Sequence, residues 1–149
     1  MRGGARRSII APMPNMPPDP ARHAQLAEAL TGVFGPLDDA ALADIESKLE
    51  WVSLAGGETL FRQGDGDDDV YVVVNGRVRA IVDDPDAGTR VLEESGRGSA
   101  IGELALLTGE PRAATIVAVR DSDLARLPKA AFDELLDRRQ HALQAQREF

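Results

Sequence analysis

Between Ile101 and Thr115 the chain reads Ile-Gly-Glu-Leu-Ala-Leu-Leu-Thr-Gly-Glu-Pro-Arg-Ala-Ala-Thr, and two of these side chains could hold opposite ends of one ligand. Glu103 sets a carboxylate beside a glycine in a short apolar turn, and nine residues on Arg112 sets a guanidinium at the mouth of a β-branched strand. A guanidinium grips the free oxygens of a phosphate with paired, charge-assisted donors, where a lysine would supply only a point charge. A carboxylate accepts hydrogen bonds from hydroxyls. If residues 103–107 form one helical turn, their leading amides, notably that of Ala105, are free to face an anion. Small side chains at Ala105, Ala113 and Ala114 allow a close approach to the backbone. Hydroxyls at one end and a phosphate at the other describe a nucleotide.

These residues must be carried by a scaffold, and the rest of the chain shows which kind. With 149 residues, 43% of them hydrophobic, the protein can build one domain around a single core, with extensions. Residues 1–20 are rich in Pro, Gly and Arg, with five prolines from Pro12 to Pro20, and are expected to form a flexible, polyproline-like lead-in. Helices are expected over residues 21–50. The first runs from Ala21 to about Leu30 and is stopped by Gly32, Gly35 and Pro36. Asp38 and Asp39 offer N-cap oxygens to the second, whose Leu42, Ile45 and Leu49 share a face and which closes near Glu50.

From Trp51 to Leu127 the texture changes to short β runs cut by glycine turns: 51–54, 59–62, 70–75, 77–82, 89–93, 115–119 and 124–127. Asn75-Gly76 between Tyr71-Val72-Val73-Val74 and Val78-Arg79-Ala80-Ile81 is a strong hairpin signal. A helix is expected from Pro128 through Ala131, Phe132, Leu135 and Leu136 to about Arg139, and helical composition continues to Phe149. The pattern predicts a mainly β, α+β fold: an antiparallel, jelly-roll-like β-roll of about eight strands with N- and C-terminal helices, residues 21–149 forming the domain.

Composition narrows the function. Lys and Arg number 17 against 25 Asp and Glu, a formal charge of −8, so the surface repels nucleic acid. There is no cysteine, hence no disulfide framework or thiolate metal site, and two isolated histidines, His23 and His141, make no zinc site and are expected on the surface. The apolar run Ile9-Ile10-Ala11 is too short for a signal-peptide core, and no stretch approaches a membrane span, so the expected location is cytoplasmic, at the cytoplasmic face of the membrane if a linked effector is a lipase or channel. Asp65 to Asp69 could suggest calcium, but a hydrophobic strand begins at Val70 and no bidentate glutamate follows at the twelfth loop position. That run is expected to be a solvated loop without metal. Phe34 and Trp51 are expected to pack against the core or the helices. No nucleophile elbow, Walker loop or catalytic carboxylate pair is visible, so the chain is expected to be a sensor and not an enzyme.

Helices at both ends of a β-roll, with Gly102-Glu103-Leu104-Ala105-Leu106-Leu107 followed by Pro111-Arg112-Ala113-Ala114-Thr115, resemble the cyclic-nucleotide-binding domain family and its phosphate-binding cassette. Gly57-Glu58, Gly64-Asp65 and Gly76 add to the likeness, which covers about Val33 to Arg139. The resemblance implies ligand contacts at Gly102, Glu103, Leu104, Ala105, Arg112, Ala113 and Ala114. Arg112 would bind the cyclic phosphate and Glu103 the ribose 2′-hydroxyl. Family members selective for cGMP often carry threonine directly after the arginine; Ala113 stands there, so the expected ligand is cAMP, with cGMP less favoured.

In this family such a domain controls an effector, in cis or in trans. The stretches Leu49 to Phe61 and Gly102 to Leu127 are also similar to the regulatory domain of bacterial patatin-like phospholipases of the neuropathy-target-esterase type. Other expectations stay open: an interaction scaffold of the same fold that no longer binds nucleotide, or the sensor of a transcription regulator, channel or transporter. A regulator of the catabolite-activator type would need a basic helix-turn-helix beyond Leu136. No sustained heptad follows Pro128, and a homodimer is possible.

Overall fold

A computed structural model describes residues 8–10 and 20–137 of the chain. In order, the elements are β1 (Ser8–Ile10), α1 (Pro20–Phe34), α2 (Asp39–Lys48), β2 (Glu50–Leu54), β3 (Thr59–Phe61), β4 (Val70–Asn75), β5 (Val78–Asp84), β6 (Gly88–Ser95), β7 (Ala100–Ile101), α3 (Glu103–Thr108), β8 (Thr115–Ala118) and β9 (Ser122–Leu127). A last helix, α4, covers residues 129–137. The strands form two antiparallel sheets, ordered β1-β2-β9-β4-β7 and β3-β8-β5-β6. The eight strands from β2 to β9 make the expected β-roll, with helices before and after it.

The core has two compartments, and β4 divides them. Side chains alternate across a strand. Val70, Val72 and Val74 therefore face an outer compartment, and Tyr71 and Val73 face an inner one between the sheets. The outer compartment takes Leu26, Ala29, Leu30 and Phe34 from α1, Leu42 and Ile45 from α2, and Ala131, Phe132 and Leu135 from α4. Phe34 and Phe132 meet edge to face at 5.4 Å. The inner compartment takes Val52, Leu54, Leu60, Phe61, Ile101, Ile116 and Leu124. Trp51 packs at the margin of the outer core beneath the Arg22 guanidinium, 4.6 Å from the ring. The expected N-cap is present: Asp38 Oδ1 accepts from the Ala41 amide at 2.7 Å.

Several boundaries differ from the sequence expectation. Within the lead-in, Ser8–Ile10 is a strand, paired with β2 through Ser8 and Ser53, Ile9 and Val52, and Ile10 and Trp51. It covers backbone groups that β2 would otherwise present as a sheet edge. Helix α1 runs past Gly32 to Phe34, and the missing side chain at Gly32 lets the helix pass close to the Gly98 backbone, where a Cβ would lie a tight 3.3 Å from Gly98 Cα. Helix α2 ends at Lys48, and Glu50 already belongs to β2. The two-residue β7 was not expected. His23 is half exposed but has a partner, its Nδ1 lying 2.9 Å from Glu46 Oε1. Residues 138–149, including His141, lie outside those described. No described helix is long and apolar enough to cross a membrane.

Candidate functional site

Strand β7 delivers the chain into α3, and Gly102 makes the junction. Its φ of +90° lies in the left-handed region that favours glycine. Space gives a second reason. A Cβ on Gly102 would lie 2.3 Å from Arg112 Nη1 and 3.0 Å from the Asp69 carbonyl oxygen. At its other end α3 closes on Gly109, whose amide donates to the Ala105 carbonyl at 2.8 Å.

The Arg112 side chain is 1% exposed, and four of its five N–H groups donate hydrogen bonds. Nη1 donates to the Gly102 carbonyl at 3.0 Å, Nη2 to the Asp69 carbonyl and to Asp67 Oδ2, both at 2.7 Å, and Nε to Asp67 Oδ1 at 3.3 Å. The guanidinium carbon lies 3.9 Å from the centre of the Phe61 ring. The main chain is held as well: the Arg112 amide donates to the Asp65 carbonyl, and the Gly64 amide to the Arg112 carbonyl, each at 2.8 Å. Asp67 is 36% exposed, so one side of this ion pair opens toward solvent.

The acidic run 65–69 is a loop, exposed at Asp65, Gly66 and Asp68 as expected, but Asp67 and Asp69 are half-buried against the body of the protein. Asp65 Oδ2 accepts from the Arg62 amide at 2.9 Å, Asp67 pairs with Arg112, and Asp69 Oδ2 accepts from Arg126 Nε at 2.8 Å. Arg126 also bonds Glu50. Burial works against the Arg126 charge, but the bond to Asp69 and the nearby Asp69 and Glu50 carboxylates outweigh it and raise its pKa above the ordinary arginine value. These links draw the acidic loop onto the sheet through two arginines far away in sequence.

Beside Arg112 lies a cleft of about 240 Å³. All seven residues singled out from the sequence line it: Gly102, Glu103, Leu104, Ala105, Arg112, Ala113 and Ala114. Glu103 and Leu104 are exposed, Ala105 is buried, Ala113 is exposed and Ala114 half-buried. The Glu103 carboxylate has no hydrogen-bond partner among the described residues. The floor comes from Phe61, Ala80, Ile101 and Ile116, and the far wall from Leu92 and Glu93. Reasoning from sequence missed Asp67, Phe61, Leu92 and Glu93. The apolar-charged pair Leu92-Glu93 at the end of a β run was the only local signal. Helix α3 also joins two regions, because Ala105 lines the cleft while Leu106 is packed in the outer core with the residues of α1 and α4.

Comparison with known proteins bears on this arrangement. A family model described as the cyclic nucleotide-binding domain matches residues 51–139. A lysophospholipase nte1 of Aspergillus fumigatus is 39% identical over 110 residues, which are 74% of this chain and 7% of that protein. The Neurospora crassa lysophospholipase nte1 is 42% identical over 94 residues, 63% of this chain and 6% of that one. The chain thus spans under a tenth of the length of these curated relatives. Among solved structures, the regulatory domain of Toxoplasma gondii PKA with cAMP superimposes with a TM-score of 0.70 at 30% identity, over 80% of this chain and 46% of that one. The Thermus thermophilus catabolite activator protein gives 0.64 at 29% identity, over 78% and 57%.

Proposed function

Because the chain belongs to the cyclic-nucleotide-binding domain family, we propose that the cleft beside α3 takes cAMP in preference to cGMP and that the domain regulates a linked effector. The observation that carries this reading is the buried Arg112 guanidinium at one end of a cleft whose other polar group on α3 is an unpaired carboxylate. A cyclic phosphate carries one negative charge. It binds by taking over the donors now given to the half-open Asp67 side, while the Gly102 carbonyl and the Phe61 ring keep the guanidinium in place. The Ala105 amide, in the first turn of α3, has no partner within the helix and donates to a phosphate oxygen. Glu103 accepts from the ribose 2′-hydroxyl, so a deoxy ligand leaves it unpaired at a loss of about 1–3 kcal/mol. Ala113 offers no hydroxyl to a guanine.

Transmission runs through α3. Ligand contact at Glu103 to Ala105 moves the turn that carries Leu106, and Leu106 packs in the compartment that holds Phe132 and Leu135 of α4, with Leu136 against its edge. The nucleotide shifts the population between two packings of that layer, by as much as its affinities for the two differ. Similarity to two lysophospholipases supports an effector of that kind in the full-length protein.

Calorimetric titration of the wild-type chain and of Arg112→Ala with cAMP and cGMP tests the binding. The wild type is expected to bind cAMP more tightly than cGMP, and the variant to lose both. Wild-type binding no tighter than that of the variant overturns the reading. Hydrogen exchange at saturating cAMP tests transmission; unchanged protection across residues 129–137 overturns that part.

A further inference from the structure

Four strands of the second sheet place a continuous row of side chains under the cleft. Phe61 of β3 is paired with Ile116 of β8, Ile116 with Ala80 of β5, and Ala80 with Glu93 of β6. Residues directly opposite in an antiparallel pair point to the same face, and all four line the cleft. One end of the row is the ring under Arg112. The other end is a carboxylate. Three inter-strand steps separate them, about 14 Å along the sheet before its curvature brings the ends closer. With both side chains reaching inward, that span suits a nucleotide lying along the floor, its phosphate at Arg112 and the far edge of its base at Glu93.

A bulge builds this far wall. The pairing of β5 with β6 passes from Ala80 and Glu93 directly to Ile81 and Val91, so Leu92 has no residue opposite it. In a regular strand Leu92 and Glu93 would point to opposite faces, but here both line the cleft. Glu94 faces the other side, where it accepts from Arg77 and Arg79. Glu93, by contrast, has no hydrogen-bond or ion-pair partner among the described residues. The cleft thus presents an exposed apolar side chain and a carboxylate unpaired among the described residues next to each other, farthest from the phosphate end.

We infer that the β6 bulge is the base-recognition wall of the site: Leu92 covers the base plane and Glu93 accepts a hydrogen bond from the 6-amino group of adenine. This rests on the cyclic-nucleotide reading of the cleft and names a determinant of its base preference. A carboxylate is an acceptor only. Adenine offers an N–H donor at the 6-position, the part of the base farthest from the sugar. Guanine and hypoxanthine place a carbonyl oxygen there, and two acceptors face each other. Glu93 therefore rewards one base and repels the others, so that specificity comes from both attraction and rejection.

The experiment changes the protein and the ligand together. Wild type, Glu93→Ala and Glu93→Gln are titrated calorimetrically with cAMP, cGMP and cyclic IMP, which has the 6-oxo group without the 2-amino group. Thermal unfolding without nucleotide checks that the variants fold, as expected for an exposed side chain. Glu93→Ala is expected to weaken cAMP roughly tenfold, in line with one hydrogen bond to a charged group, and to leave cyclic IMP unchanged or tighter. Glu93→Gln, which keeps an acceptor oxygen, is expected to fall between. The inference is overturned if cAMP affinity is unchanged in Glu93→Ala, if cAMP and cyclic IMP weaken equally, or if cGMP is the ligand that loses most. Wild type that binds cAMP while Glu93→Ala matches it rejects this inference alone. Wild type that binds no cyclic nucleotide rejects the reading beneath it as well.

Discussion

Substituting Gly102 by alanine tests how the site is built, because two separable effects meet at that position. The first is local. At φ +90° an L side chain crowds the following carbonyl, at a cost of about 1–2 kcal/mol. The second is contact, since the new Cβ lies 2.3 Å from Arg112 Nη1. The guanidinium is 1% exposed and lies against Phe61, so it has little room to yield and loses its bond to the Gly102 carbonyl. A hydrogen bond to a charged group contributes about 1.5–3 kcal/mol, giving a combined loss of about 2.5–5 kcal/mol. Gly109→Ala is the matched control: its φ is +73° and nothing lies within 4 Å of the added Cβ, so only the local term of about 1–2 kcal/mol applies. Urea unfolding of both variants measures the difference. Titration with cAMP then asks whether displacing Arg112 costs affinity, and at least about tenfold is expected for Gly102→Ala alone. Equal losses of stability and equal affinities in the two variants would refute the claim that Gly102 holds Arg112 at the cleft.

Other outcomes follow from the same geometry. Leu106→Ala leaves a gap in the outer core and is expected to lose about 2–5 kcal/mol in denaturant unfolding; cAMP still binds, but the hydrogen-exchange response across residues 129–137 is diminished. Gly76→Ala places a Cβ 2.6 Å from Ser122 Cα in a turn with φ +102°, and overpacking together with the left-handed backbone predicts a loss of about 2–5 kcal/mol, read as a lower urea midpoint. Glu94 is held below its ordinary pKa by its bonds to Arg77 and then Arg79. Its contribution to stability is therefore complete above the ordinary glutamate range and is lost as the pH falls through the depressed folded value. Thermal unfolding scanned from neutral to acid is expected to show a shallower acid decline in Glu94→Gln than in wild type.

The parts of this molecule that could be read from sequence are those whose cause lies within a few residues. The β4–β5 hairpin was legible because Asn75-Gly76 and the flanking valines specify both the turn and the strands. Glu103 and Arg112 were legible as a pair because their spacing is short and they belong to one motif. Where a distant partner decides, local signals mislead. Gly32 reads as a helix stop, yet α1 continues through it, and the glycine instead sits where the helix passes close to the Gly98 backbone, far along the chain. Asp67 and Asp69 read as a solvated loop, yet Arg112 and Arg126 bind them from more than forty residues away. Period-two alternation would separate Leu92 from Glu93, and a single unpaired residue sets them on the same wall.

The division of the core by β4 has a dynamic consequence. The inner compartment holds the strands that carry Phe61, Ile101 and Ile116, and the outer one holds the helical layer. The layer of α1, α2 and α4 is therefore expected to open sub-globally at a free-energy cost below that of unfolding the roll, which hydrogen exchange without ligand measures. On the proposed function, the floor of Phe61, Ile101 and Ile116 stays assembled during such an opening. On the proposed function, Leu106 of α3 joins the floor of the cleft to the helical layer, and mutations in the helices are expected to retune the response while the floor is unaltered.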